Sequence, residues 1–370
     1  TTEIYTLSLH DALPIYDGEA TAMAMAMEQG CGTSAIAGHV VPEMLVDWSV
    51  RVLSVQAAET LADSEVSPYQ LDTDVYAEVG GTQRDWVVEL AIPRRLLAGR
   101  PSQLLNVVVG ELPRLGFLTR LQLQALDLPE DFGPGSAFGI AGIRRHLQRE
   151  KGPLLCRAMR PAVGLDLATM AGLHRAALVG GFHLVKDDEL QVFADNQAFR
   201  RHVQAMVAAR DEARDRTGEF KGYLANLICE PWELSERWDI LDDCGVDAAL
   251  VAPSLQGLGV LSMLARQRRR PLLAHNTFSD LLTRHPGWGI AHGVLEGWVA
   301  RLGADWFATP GERGQDGSLE SGKPADRRMR PMPILQGGKI PAGLPGYRAA
   351  IGSDDYMLIV ASWVDAYPEG

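Results

Sequence analysis

An apolar stretch that ends abruptly in charge is the feature of this sequence that points most directly to chemistry. Residues 180–189 read GGFHLVKDDE, so a glycine pair and a short apolar run lead into one lysine and three carboxylates. Buried strands of a parallel barrel deliver charged side chains in this way, at their carboxyl ends. Side chains alternate along a strand, so Lys186 and Asp188 share one face. Glu189 has the opposite parity and has to turn inward where the strand ends.

Carboxylates gathered at one buried strand end need a cation, because they repel one another and are costly to desolvate. Mg²⁺ fits best, since it takes oxygen ligands in octahedral geometry. An ammonium group cannot ligate a metal, but a neutral lysine amine can react with CO₂ to give a carbamate, which is an anionic oxygen ligand. Burial makes the neutral amine accessible by lowering its pKa. From spacing alone, a surface salt-bridge cluster at a strand end remains the alternative.

Other segments of the chain match the same family pattern in the same order. These are MEQGCGT at 27–33, LLCRAMRPAVGL at 154–165, LLAH at 272–275 and QGG at 336–338. Together with residues 180–189, they resemble the ribulose bisphosphate carboxylase (RuBisCO) large-chain superfamily. The resemblance implies a metal site at Lys186, Asp188 and Glu189, with Lys186 carbamylated by CO₂ and Mg²⁺ as the bound metal. It covers the chain from about residue 20 to its end.

Composition sets broad limits on the class of protein. The chain has 370 residues, of which 46% are hydrophobic, so two or three domains with a sizeable core are expected. Its formal net charge of −12 argues against a nucleic-acid partner or an anionic membrane surface. Four cysteines lack the spacing of a metal site or a disulfide framework. With no apolar run of about 18 residues and no secretory signal, a cytoplasmic location is expected.

Three regions are expected along the chain. Residues 1–15 resemble translated sequencing-adapter read-through, and we interpret them as a non-native leader. Residues 16–148 are typical of a small α+β domain, with strands predicted at 44–56, 74–79, 86–91, 104–110 and 117–127. Residues 149–370 alternate strand and helix patterns and predict a (β/α)₈ TIM barrel.

The eight predicted barrel strands are 154–159, 183–186, 222–228, 248–252, 271–275, 306–309, 332–335 and 356–360. Helical spacing of apolar residues predicts helices at 167–178, 197–214, 232–244, 257–268 and 294–302. The polar segment 311–330 carries no helical stripe, and the chain stops just after strand eight. An incomplete barrel, truncated after strand eight, is therefore expected.

The barrel prediction places two further side chains at strand ends. Arg160 ends strand one, where the family's carboxylases have a lysine that acts as an acid or base. An arginine stays protonated, so an electrostatic role toward a substrate oxygen or a structural salt bridge is expected. His275 ends strand five and matches a family histidine near the substrate. It is a candidate general base, or else a hydrogen-bonded core residue.

The resemblance implies further substrate contacts, for which ordinary solvated loop positions remain the alternative. Within the barrel these are Asn226, Asn276, Gln336, Gly337 and Gly338. From the amino-terminal domain, Glu28 and Thr33 would reach a neighbouring subunit's barrel in a homodimer with a shared active site. Glu111 stands where the carboxylases have an asparagine, and it is the remaining candidate substrate contact.

Several departures from the family pattern argue against carboxylation. Asn276 replaces a phosphate-binding arginine, and Phe307 stands at a histidine position. The phosphate-cradling glycine triplet after strand eight aligns with residues 361–363, ASW, whose side chains block close backbone approach. The mobile loop after strand six has no equivalent of the carboxylase lysine, and Lys323 is not assigned that role.

The function expected from the retained ligands is Mg²⁺-dependent enolisation of a keto sugar or sugar-acid, with or without a phosphate. Enolase, isomerase and carbon–carbon cleavage (lyase) reactions can all follow from that step. A true ribulose bisphosphate carboxylase is one alternative. A catalytically inactive fragment or regulatory relative is a second, and an unrelated Mg²⁺ enolase barrel is a third.

Overall fold

The structure is a computed structural model that describes residues 18–30, 44, 47–59, 85–115, 118, 120–285, 287–308 and 331–365. Its strands are β1 (Arg51–Ala57), β2 (Trp86–Ala91), β3 (Leu121–Leu123), β4 (Leu154–Ala158), β5 (Leu184–Lys186), β6 (Gly222–Asn226), β7 (Ala248–Val251), β8 (Leu272–Ala274), β9 (Trp288–Ile290), β10 (Trp306–Ala308), β11 (Met332–Leu335) and β12 (Met357–Val360). The predicted leader, the predicted strand at 74–79 and the segment 311–330 lie outside the described residues.

The helices are α1 (Gly18–Glu28), α2 (Arg94–Leu97), α3 (Pro101–Leu105), α4 (Gly139–His146), α5 (Leu167–Val179), α6 (Asn196–Thr217), α7 (Leu234–Asp243), α8 (Pro253–Gln256), α9 (Leu258–Gln267), α10 (Ser279–Thr283), α11 (His292–Leu302), α12 (Leu344–Ile351) and α13 (Ser362–Asp365). Two compact units result: residues 1–133 with 280–296, and residues 134–279 with 297–370. The predicted domain boundary at residues 148 and 149 stays a prediction.

The first unit contains an antiparallel ribbon of β1 and β2, in which Ala57 lies opposite Trp86. A second, parallel pair joins β3 to β9. The predicted strand at 104–110 is wrong, because α3 and a π-helical turn at Asn106–Gly110 occupy that apolar run. Pro101 stands at the first position of α3, where its fixed φ favours helix, and this outweighs the β-branched residues that follow.

The second unit is the predicted barrel. Strands β4, β5, β6, β7, β8, β10, β11 and β12 pair in parallel and close on themselves, so the strand ring is complete. All eight predicted strands and the α/β barrel fold class are confirmed, whereas the predicted truncation after strand eight stays a prediction. These strands are continuous apolar runs because interior side chains bury one face and the helices cover the other. The interior core includes Leu184, Leu224, Trp306 and Met357.

Specific side chains fix the helices around this ring. Asp166 caps α5 by accepting a hydrogen bond from the Thr169 amide at 2.9 Å, and Asp195 caps α6 in the same way. Gly218 ends α6 with φ +66°, a left-handed conformation that glycine adopts without strain. No helix in the described ranges is long and apolar enough to cross a membrane.

Candidate functional site

Five of the predicted site residues meet at the carboxyl ends of three barrel strands. Lys186 ends β5 and donates from Nζ to Glu189 Oε2 at 3.1 Å. Arg160, just past β4, donates from Nε to Asp188 Oδ2 at 2.7 Å and from a terminal nitrogen to Glu189 Oε1 at 3.2 Å. His275, just past β8, places Nε2 3.5 Å from Glu189 Oε2. The structure therefore forms one cluster of two carboxylates, two cations and a histidine.

The opposite charges in this cluster stabilise each other's ionised forms. Burial alone would raise the pKa of Glu189, but the charge of Lys186 outweighs it and lowers that pKa to about 2. Burial alone would lower the pKa of Arg160, but Asp188 and Glu189 outweigh it and raise that pKa. Glu189 is therefore ionised and Arg160 charged near neutral pH.

His275 is neutral in this arrangement. Burial, followed by the charge of Lys186, lowers its pKa to about 4. The Thr277 hydroxyl oxygen lies 2.8 Å from His275 Nδ1 and the Thr277 main-chain nitrogen 3.2 Å, while Nε2 faces Glu189. A neutral imidazole has one nitrogen that donates and one that accepts. The predicted role of His275 as a general base stays a prediction.

The cluster opens into a cavity of about 560 Å³ at the mouth of the barrel. Its lining combines the charged cluster with the loop after β11 and the segment after β12: Ala158, Arg160, Lys186, Asp188, Glu189, Gln336, Gly337, Gly338, Lys339, Ile340, Ile359, Ala361 and Trp363. Gly337 and Gly338 have φ +71° and +72°, left-handed backbone conformations that glycine adopts without strain. Gln336 donates its amide to Asn276 Oδ1 at 2.9 Å, which ties these two predicted contacts together.

Asn226 lies at the end of β6, and its side chain is directed to the main chain. Its amide donates to the carbonyl oxygen of Asp188 at 3.1 Å and, at 3.4 Å, to those of Glu189 and Gln191. Asn226 is fully buried. In this structure its amide holds the main chain of residues 188–191. Its predicted role as a substrate contact stays a prediction.

The other three predicted contacts belong to the amino-terminal unit. Glu28 is the last residue of α1 and is partly exposed, and Glu111 is exposed after the π-helical turn. Thr33 lies outside the described residues. The predicted roles of Glu28 and Thr33 at a neighbouring subunit, and of Glu111 as a substrate contact, stay predictions.

Three buried residues behind the cluster were assigned no role from the sequence. Asp187 accepts hydrogen bonds from Tyr223 Oη at 2.7 Å and from the Asn226 amide at 3.2 Å, and it lies 2.9 Å from His202 Nε2. Burial would raise the pKa of Asp187, but His202 and the Tyr223 hydroxyl outweigh it and hold the pKa below its usual value. An ionised carboxylate only accepts, so His202 Nε2 is the donor. Strand alternation was the available signal, since it directs Asp187 away from the cavity.

The side chains of Lys186, Asp188 and Glu189 would fit a hard divalent cation if Lys186 carried a carbamate. Among the described residues, no group of three or more His, Cys, Asp or Glu side chains is placed to hold a metal ion. Asp188 and Glu189 supply two carboxylates on one cavity, and Lys186 stands beside them. A carbamate on Lys186 would complete three anionic oxygen ligands, which suits Mg²⁺.

Comparison with known proteins gives a consistent result. The family described as "Ribulose bisphosphate carboxylase large chain, catalytic domain" matches residues 139–318. A 2,3-diketo-5-methylthiopentyl-1-phosphate enolase from Geobacillus thermodenitrificans is 32% identical over 231 residues, which are 62% of this chain and 56% of the enolase. The chain thus spans little more than half the length of that curated relative.

Two further relatives are matched over nearly the whole chain. A 3-oxo-isoapionate-4-phosphate decarboxylase from Rhizobium rhizogenes is 25% identical, over 95% of this chain and 86% of the decarboxylase. The crystal structure of a rubisco-like protein from Alicyclobacillus acidocaldarius is 26% identical, with a TM-score of 0.83 over 100% of this chain and 89% of that one.

Proposed function

We propose that this chain is a non-carboxylating, RuBisCO-like enzyme, because the catalytic-domain family of the ribulose bisphosphate carboxylase large chain matches residues 139–318. The proposed reaction is the enolisation of a phosphorylated keto sugar or sugar-acid, leading to an enolase, isomerase or carbon–carbon cleavage product. The observation that carries the proposal is the convergence of Lys186, Asp188 and Glu189 on one cavity at the barrel mouth.

The proposed cofactor is Mg²⁺, held by Asp188, Glu189 and a carbamate on Lys186. When bound, it supplies a Lewis acid that acidifies the proton next to the substrate carbonyl. Arg160 supplies a permanent positive charge at the cavity wall, suited to an anionic substrate oxygen. His275 supplies an imidazole beside Glu189, and its low pKa keeps the ring neutral near pH 7.

The proposed substrate carries one phosphate. Both curated relatives are named for monophosphates, one for an enolase reaction and one for a decarboxylase reaction. Asn276, just past β8, is neutral and hydrogen-bonded to Gln336, so this position adds no cation for a second phosphate. The bulky Trp363 lines the cavity after β12. These features support a monophosphate over ribulose bisphosphate.

The experiment that tests the proposal is a calorimetric Mg²⁺ titration of the folded chain, with and without bicarbonate. We expect bicarbonate to strengthen binding at least tenfold, because the carbamate supplies the third anionic ligand. Lys186→Ala should lose the bicarbonate effect entirely. Lys151→Ala, at an exposed lysine, is the matched control and should bind like the wild type.

The titration also separates the competing functions. Bicarbonate-dependent binding would justify a substrate screen, in which exchange of the substrate α-proton with deuterium is followed by NMR. A folded wild-type chain that binds no Mg²⁺ would instead support the inactive or regulatory alternative. Turnover of ribulose bisphosphate with CO₂ would establish the carboxylase alternative.

We also propose a homodimer whose active site is shared between subunits. Apolar side chains in the connections after five successive barrel strands are 49–79% exposed and form an apolar rim: Val163, Leu190, Val192, Trp232, Leu255 and Phe278. Exposed apolar surface around a polar cavity is typical of a protein interface. A second copy would cover the rim and bring its own Glu28 and Thr33 to the cavity. The expected cytoplasmic location stays a prediction.

A further inference from the structure

We propose that Asp187, His202 and Tyr223 are positioning residues that direct Asp188 and Glu189 into the cavity. The inference rests on the proposed function, in which these two carboxylates hold the metal. It assigns a role to the carboxylate of the KDDE segment that faces away from the cavity.

The pairing of β5 with β6 sets the orientation of the Asp187 side chain. The Asp187 amide donates to the Leu224 carbonyl at 3.0 Å, so the parallel ladder between β5 and β6 continues one residue beyond β5. Alternation then turns the Asp187 side chain outward, away from the side on which Lys186 points. There it contacts Tyr223 of β6 and His202 of α6, and all three side chains are buried.

Strand β6 also holds the next two residues, Asp188 and Glu189, through Asn226 at its end. Asn226 donates its side-chain amide to the carbonyl oxygens of Asp188 and Glu189, and its main-chain amide donates to Asp187. The segment is thus fixed through the side chain of its first residue and the main chain of the next two. Peptide orientation is then set, and the direction of the following side chains with it.

The carboxylate of Asp187 gives this position a directional anchor that an apolar side chain would lack. An apolar side chain would fill the layer between strand and helix without repelling Asp188 and Glu189. A carboxylate instead accepts several directional hydrogen bonds, which specify one orientation. Removing one donor leaves a buried charge less satisfied, so the segment is expected to shift toward other partners. Lost positioning, rather than lost stability alone, is the expected effect.

The test compares variants that remove a donor with variants that keep it. Tyr223→Phe deletes only the hydroxyl, and His202→Leu deletes the imidazole donor. His202→Gln keeps an N–H near the position of Nε2. His174→Leu is the matched control: His174 is buried in α5, with its ring 5.3 Å from the ring of Tyr223, and its nitrogens have no hydrogen-bond partner among the described residues.

Two quantities are measured on the full chain, well below each variant's melting temperature. The first is Mg²⁺ affinity with bicarbonate, and the second is amide hydrogen exchange in residues 186–191. We expect Tyr223→Phe and His202→Leu to weaken Mg²⁺ about tenfold, as loss of a residue that orients a metal ligand generally does, and to speed exchange in that segment. His202→Gln should stay within about threefold of the wild type. The control should leave both quantities unchanged, even if it lowers the melting temperature.

Each result bears on the inference. If Tyr223→Phe and His202→Leu lower the melting temperature while both quantities stay at wild-type values, the three residues are merely structural and the inference is overturned. If the wild type binds no Mg²⁺, the proposed function fails. In that case, amide hydrogen exchange alone tests whether Asp187, His202 and Tyr223 order residues 186–191. Exchange in Tyr223→Phe and His202→Leu that matches the wild type would then overturn the inference.

Discussion

Arg160 pairs with both acidic residues that the proposed metal needs. Its side chain is 48% exposed, whereas Asp188 is almost completely buried, so the arginine approaches the carboxylates from the solvent side. A guanidinium suits this position because its planar fork can contact two carboxylates at once. Arg160 and the metal would therefore compete for the same oxygen atoms.

Replacing Arg160 by glutamine should consequently strengthen Mg²⁺ binding in the absence of substrate. The expected gain is roughly three- to tenfold, since one nearby positive charge and one competing ion pair are removed. Calorimetry measures it, with Arg175→Gln as a control that breaks an ion pair to Glu212 on the outer helices. Unchanged or weaker binding in Arg160→Gln would show that the arginine does not compete with the metal.

Some side-chain positions could be predicted from the sequence, and others could not. Alternation along β5 placed Lys186 and Asp188 correctly on the cavity, because it depends only on neighbouring residues. The direction of the Asn226 amide depends on carbonyl groups about 40 residues away in the chain. The partners of Asp187, His202 and Tyr223, lie 15 and 36 residues away in the chain. A single sequence carries no signal for contacts of this kind.

Strands and helices were predictable from the sequence where their hydrophobic pattern was long and the alternation of strand and helix was regular. Every barrel strand was predicted because an apolar run bounded by polar residues recurs eight times, in most cases with a helical stripe before the next strand. The run at 104–110 was misread because a short apolar segment can be a strand or a buried helix. The three-residue strands β3 and β9 are too short to show a period, and they pair across more than 160 residues of chain.

One carboxylate links helix α4 to the barrel, and its removal should destabilise the barrel unit. Asp305, just before β10, accepts hydrogen bonds from Ser136, from the Phe138 and Gly139 amides at 2.9 Å, and from the Leu272 amide at 3.0 Å. Asp305→Ala leaves these buried donors unsatisfied and should cost about 2–4 kcal/mol of unfolding free energy.

Urea unfolding measures this loss. Asp305→Asn keeps one acceptor oxygen and should lose less than the alanine variant. The comparison variant is Asp166→Ala, which removes an exposed cap of α5 and should cost less unfolding free energy than Asp305→Ala. An alanine variant at residue 305 no less stable than Asp166→Ala would show that Asp305 does not anchor α4.

At the scale of the whole molecule, the apolar rim predicts self-association. Sedimentation velocity at micromolar concentration should show a species of twice the 40.2 kDa chain mass. Trp232→Glu should shift the chain toward monomer, because it places a charge in the most exposed part of the rim. The control is Leu173→Glu on the outer face of α5, away from the rim. A wild-type monomer at all concentrations would contradict the proposed shared site.

The end of the barrel opposite the cavity is closed. Ile143 of α4 and the following Leu147 are buried in the same core as the interior side chains of the strands. Within the described residues, the barrel interior is therefore packed at this end, and the cavity opens at the other. Whatever leaves the cavity has to use the path by which the next molecule arrives, so a product that lingers at the mouth would act as a competitive inhibitor of its own formation.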